Sequence, residues 1–161
     1  MYKPQNLSDY LTKAVADLKQ NPERLHVFLD EGGTRATATA GLSFEYDYVL
    51  NLILTDIGLD LDLVFVPLLA WMRVHQKDAF ANPDNIKKAI RFEVDMNSAK
   101  SLDLSIKLAL TERTIVKREE GGRLHIDHPP EVQLNAAFAD DIWKLYDGDT
   151  LLAEWSVPKL P

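Results

Sequence analysis

The sequence predicts an α+β protein, a mixed and largely antiparallel sheet with hairpins, flanked by an N-terminal amphipathic helix and a central core helix. Three patterns predict it. One stretch repeats its apolar residues with helical spacing, a second is a denser apolar run of helical length, and several others alternate apolar and polar residues with the period of a half-buried strand.

The helical stripe comes first. Leu7, Tyr10, Leu11, Ala14, Val15 and Leu18 share one face over residues 6–20, with Asn6 placed to cap the first turn, Asp9 adding negative charge there and Asn21-Pro22 ending the helix. After Pro22 the period becomes two: Leu25, Val27 and Leu29 alternate with His26, Phe28 and Asp30. Gly32-Gly33 then reads as a turn before a β-favouring run over 34–40, which predicts a hairpin. Residues 42–55 predict a long strand with Phe44, Tyr46 and Tyr48 on one face. Residues 62–76 carry Leu63, Val64, Leu68, Leu69, Trp71, Met72 and His75 and predict the core helix, starting late or bending at Pro67.

Asn82-Pro83-Asp84 opens a short helical turn through Lys88, and Ile90, Phe92, Val94 and Met96 form the next strand pattern. The cleanest alternation is Leu102, Leu104, Ile106, Leu108 and Leu110, one face buried and the other wet. A second Glu-Gly-Gly tip, Glu119-Glu120-Gly121-Gly122, joins strands over 114–117 and 123–127. Asp147-Gly148-Asp149 turns a third hairpin, 142–146 with 151–157, which carries Trp143, Tyr146 and Trp155. An isolated hairpin is marginal in water, so this one must rest on its own chain or on a neighbouring subunit. Pro129-Pro130 marks the one boundary, dividing a domain over 1–130 from an extension over 131–161.

The totals narrow the function classes. A chain of 161 residues with 46% hydrophobic and 27% charged residues is an ordinary globular domain. It has no cysteine, hence no disulfide, thiolate nucleophile or Cys-ligated metal. The first residues lack the apolar run of a signal peptide, and no stretch reaches the length needed to span a bilayer. With 25 acidic against 18 basic residues the net charge is −7, which opposes approach to phosphate backbones. The basic groups Lys87, Lys88, Arg91 and Arg113, Lys117, Arg118 read as solvated faces, so no sequence-specific nucleic-acid binding is expected.

Catalytic patterns are weak throughout. His125, Asp127 and His128 offer three metal ligands, but on a strand His125 and Asp127 point to one face and His128 to the other, with two prolines following. His26 and His75 stand alone, the latter at a helix end that favours partial positive charge. The pair Asp60 and Asp62 is explained by one of them capping the next helix. No serine sits in a nucleophile elbow, and neither Gly-Gly pair has a phosphate loop's following Lys-Ser or Lys-Thr. We expect no catalytic, cofactor or metal residues.

Several short blocks occur in a telling order: Met1-Tyr2-Lys3-Pro4-Gln5, Asn21-Pro22-Glu23-Arg24-Leu25-His26, Leu42-Ser43-Phe44-Glu45-Tyr46, Pro67-Leu68-Leu69-Ala70-Trp71-Met72-Arg73, Ala81-Asn82-Pro83-Asp84 and Leu110-Thr111-Glu112-Arg113. Together, over about residues 1–130, they resemble the tail completion protein R family of P2-like contractile-tailed phages. The resemblance implies a tail terminator-like α/β subunit of the virion, made and assembled in the host cytoplasm. Such a subunit stops tube growth at the head-proximal end of the tail and prepares head–tail joining. A homohexameric ring on the last ring of tail tube protein is implied, with sheath and neck or connector proteins as further neighbours. A ring needs complementary sides, for which acidic Glu31, Glu119 and Glu120, basic Arg113 and Arg118, and the aromatics Trp143, Tyr146 and Trp155 are the candidate contacts. Two other readings compete: a neck or baseplate adaptor of a phage or phage-tail-like bacteriocin, and a small metal-dependent hydrolase using His125, Asp127 and His128.

Overall fold

A computed structural model describes residues 1–36, 41–131 and 141–158. Among the described residues the alternating segments become seven strands and the helical ones four α-helices. In chain order these are α1 (Lys3–Ala14), α2 (Ala16–Gln20), β1 (Leu25–Ala36), β2 (Phe44–Ile57), α3 (Asp62–His75), α4 (Pro83–Ala89), β3 (Ile90–Met96), β4 (Leu102–Arg118), β5 (Leu124–Asp127), β6 (Ile142–Asp147) and β7 (Thr150–Ser156).

Strands β1-β2-β4-β3 lie in that order, β5 adds to the end of β4, and β6 and β7 form a separate hairpin. Every pairing among the described residues is antiparallel, so the mixed sheet expected from sequence has no parallel component there. The strand β4 organises the rest. It is a single strand covering two predicted segments, pairing with β2 along most of its length, with β3 over Leu102 to Leu108, and with β5 over Ile115 to Arg118.

The core forms where the inward residues of this sheet meet the helices. Leu50, Leu52 and Leu54 of β2 and Leu104, Ile106 and Leu108 of β4 pack with Leu7 and Leu11 of α1 and Leu68, Trp71 and Met72 of α3. All of these are essentially inaccessible, which is the main stabilising term for a domain of this size. The helix α3 runs unbroken through Pro67, which is itself buried. Asp60 accepts the Asp62 amide at 3.1 Å, one residue ahead of the cap position Leu61, which has no side-chain cap. Asn82 caps α4 by accepting the Asp84 amide at 2.9 Å.

Three local expectations are overturned. The first helix begins at Lys3 rather than Asn6, with Pro4 in its first turn, where the missing proline N–H costs nothing. Asn6 therefore lies inside it and caps nothing. Val15 is extended, φ −90° and ψ 121°, and divides the predicted helix into α1 and α2. Finally, Gly32-Gly33 is no turn: β1 continues through both, and they pair with Tyr48 and Asp47. A Cβ on Gly33 would meet the Asp47 carboxylate at 3.1 Å, so a larger residue there would need that side chain to shift. The predicted second strand of that hairpin, 34–40, lies partly in β1, and its residues 37–40 lie outside the described residues. The other two tips are turns as expected, with Gly121, Gly122 and Gly148 at φ of 74°, 80° and 55°.

The β6–β7 hairpin rests on its own chain. Trp155 and Val157 are buried, and β7 packs on α1. Trp155 and Trp143, paired across the hairpin, meet edge to face with centroids 6.2 Å apart.

Replacing Ile106, inaccessible at the centre of β4, tests this architecture. Ile106→Asp buries an unpaired charge and should abolish cooperative folding, whereas Ile106→Ala should cost about 3 kcal/mol in urea unfolding.

Candidate functional site

The apolar phase of β4 does not stop at Leu110. It continues through Glu112 and Thr114, both buried, and a carboxylate there needs partners. The N-terminus of α1 supplies them. Glu112 Oε2 accepts the Tyr2 amide at 2.6 Å and Oε1 the Lys3 amide at 3.3 Å, while the Tyr48 hydroxyl donates a short hydrogen bond to Oε1. A carboxylate from a strand thus caps the positive end of a helix, meeting N–H groups that the helix leaves unpaired. Burial, reinforced by the hydrogen bond to Glu112 and its charge, pushes the Tyr48 phenol far up, which keeps it a donor.

Beside it lies a second cluster. Thr111 stands past the end of the β3 pairing and turns its amide and carbonyl to side chains instead: Gln76 Oε1 accepts its N–H at 3.1 Å, and Lys3 Nζ donates to its carbonyl at 2.7 Å. The Lys3 ammonium also donates to Gln76 Oε1 at 2.9 Å and to Glu131 at 3.0 Å. Burial lowers the Lys3 pKa and the Glu131 carboxylate partly restores it. Asn6 links this end to α3, accepting the Trp71 indole N–H at 2.7 Å and donating to the Tyr2 hydroxyl at 2.6 Å. His75 stacks on Trp71 with centroids 4.5 Å apart. It is buried, and its Nε2 has no hydrogen-bond partner among the described residues. Burial first and the Lys3 charge second lower its pKa to about 4, so the helix-end imidazole expected to carry positive charge is neutral.

Tyr2, His75, Glu112 and Glu131 line a cavity of about 30 Å³ together with His128 and Pro129-Pro130. That is space on the scale of a few water molecules. The groups around it bond α1, the end of α3 and β4 to one another.

The sequence-predicted contacts lie elsewhere and apart from one another. Glu31 follows a bulge in β1 and pairs with Val49, beside a shallow groove over Gly32, Gly33 and Asp47. Arg113 lies exposed across from Glu45, which is itself paired with Arg35 at 2.6 Å. Arg118, Glu119 and Glu120 surround the exposed β4–β5 tip, and Tyr146 is exposed on β6. Trp155 faces inward against α1. His125 and Asp127 are exposed on β5, and His128 Nδ1 lies 3.5 Å from Thr114 Oγ1. Among the described residues no three acidic or histidine side chains are placed to share a metal ion, and no helix is long and apolar enough to cross a membrane.

Comparison with known proteins decides the family. The profile of P2 phage tail completion protein R (GpR) matches residues 1–132. The chain belongs to this family. It is also 41% identical over 160 residues to the tail completion protein R of Escherichia phage P2, covering 96% of this chain and 99% of that one. No solved structure matches it. The tail completion R blocks read from sequence acquire a physical meaning here: Met1-Tyr2-Lys3-Pro4-Gln5, the Trp71 segment of α3 and Leu110-Thr111-Glu112-Arg113 are the three pieces that meet around Glu112 and Lys3. Of their polar residues sequence reasoning singled out only Arg113, which points away from this cluster into solvent, although a glutamate in the apolar phase of β4 was a usable signal.

Two outcomes follow. Glu112→Ala leaves two amides and a phenol without their acceptor and should cost about 2–4 kcal/mol in chemical denaturation. The imidazole of His75 ionises near pH 6.5 when unfolded but only near 4 when folded. Between those values the unfolded chain holds the extra proton, so the stability contributed by neutral His75 is complete above pH 6.5 and is lost as pH falls toward 4, by about 1.4 kcal/mol per unit at most. Melting curves of the native chain and of His75→Phe should therefore diverge across that window, the variant being the flatter.

Proposed function

We propose that this chain completes the head-proximal end of a contractile phage tail, closing it as a ring of identical subunits on the last ring of tail tube protein and preparing the tail for joining to a head. Membership of the tail completion R family carries this reading. We further propose that the ring holds six copies, that sheath and neck or connector proteins are its other neighbours, and that the subunit acts by assembly with no catalytic step. Residues 1–130 form the terminator-like unit in this reading, and residues 131–161 an extension whose hairpin is mounted on α1 by Trp155.

The architecture supports an assembly role physically. Its polar groups of unusual environment serve to fix α1 and α3 to β4, whereas the sheet edges, the β4–β5 tip and one face of the β6–β7 hairpin remain available for partners. Glu31, Arg113, Arg118, Glu119, Glu120, Trp143 and Tyr146 are the contacts we assign to neighbours in the ring or tail.

Tails assembled without this chain should lack a defined head-proximal end and fail to join heads, and adding the native chain should restore joined particles. A labelled copy should be seen in particle images as one ring at that end. Finding it at the baseplate, or absent from purified tails, overturns the reading.

A further inference from the structure

The five-stranded sheet ends on one side with β1 and on the other with β3, and among the described residues neither has a strand partner on its outer edge. Each edge exposes a large apolar side chain, with Phe28 50% and Phe92 53% accessible. Unpaired edges of this kind either are blocked or receive another strand.

Their directions are informative. Strand β1 runs antiparallel to β2, β2 to β4, and β4 to β3, so β1 and β3 themselves run in opposite directions. A second copy in the same orientation therefore presents its β1 to β3 in antiparallel sense, as a heterologous, head-to-tail contact requires.

The levels of the sheet extend this match to side chains. Val27, Leu52, Ile106 and Phe92 share one level, and Phe28, Asn51, Lys107 and Arg91 the next. Continuing the levels into the next copy sets Val27 beside Phe92 on the helix side, and on the wet side Phe28 beside Arg91 and His26 beside Glu93. Charge agrees. Arg91 lies next to Lys107, a like pair with no ion pair among the described residues, and such neighbours are destabilising. Just beyond Phe28 on β1 stand the exposed acids Asp30 and Glu31, within a diagonal position of an incoming Arg91.

We propose that β1 of one subunit pairs with β3 of the next copy, so that one sheet runs through successive subunits of the assembly, with Arg91 meeting the Asp30–Glu31 acids. This rests on the ring reading above and assigns the interface within it.

The chain contains no cysteine, so Phe28→Cys and Arg91→Cys, alone and together, form a clean crosslinking set. Both positions are exposed. With a short bis-maleimide that tolerates a slip of one residue pair, the double variant, in tails or at high concentration, should give a ladder of covalent multimers ending at the ring number, and each single variant only monomer. If copies assemble by light scattering or in tail images yet no ladder forms, or if Phe28→Cys alone gives dimers, this interface is wrong and the ring reading stands. If copies neither associate in solution nor enter tails, both fall. As a second arm, Arg91→Glu places an acid beside Lys107 and should fold normally while weakening assembly about tenfold or more; adding Glu31→Lys should restore it. Unchanged assembly in Arg91→Glu overturns the assignment.

Discussion

The carboxylate of Glu112 is the constraint on which the arrangement of layers depends. A sheet and two helices can pack apolar faces in many relative positions, because hydrophobic contact has no direction. A buried carboxylate has direction, and here it accepts at 2.6 and 3.3 Å from the first two amides at the start of α1. Lys3, Gln76 and Thr111 then tie the end of α3 to the same strand. The hydrophobic core supplies most of the stability, and this small polar group selects one docking of the helices among those the core would tolerate.

That division of labour suits an assembly subunit. The polar cluster ties α1, α3 and β4 together, and the surfaces proposed above for partners belong to elements outside it: the strands at the sheet edges, the β4–β5 hairpin and the aromatic β6–β7 hairpin. A chain whose polar groups of unusual environment serve to hold its own elements in place is built to present a shape, which agrees with its place in a family of tail completion proteins.

Much of this was legible beforehand. The alternation in β2, β3 and β4 and the stripe on α1 announced themselves because burial on one face imposes a period on the sequence. What was misread involved residues whose role depends on something distant along the chain. Gly32-Gly33 has the composition of a turn, and only its pairing with Tyr48 and Asp47 of β2 shows that it is not one. Asn6 has the composition of a helix cap, yet Trp71 in α3 claims its carbonyl. Lys3 and Glu112 were passed over because each is unremarkable locally, and their partners lie about a hundred residues away.

The distance in sequence between α1 and its acceptor has a consequence for synthesis. The α1 helix is held by Glu112, 110 residues beyond Tyr2, so this contact must wait while β1, β2, α3 and β3 are made. Local helix formation is fast, whereas closing a loop of this length is slow and comes late. Half-made or truncated chains ending before β4 can bring α1 against β2 and α3 but lack the carboxylate that fixes its position, which restricts the finished shape, and everything that docks onto it, to molecules translated past Glu112.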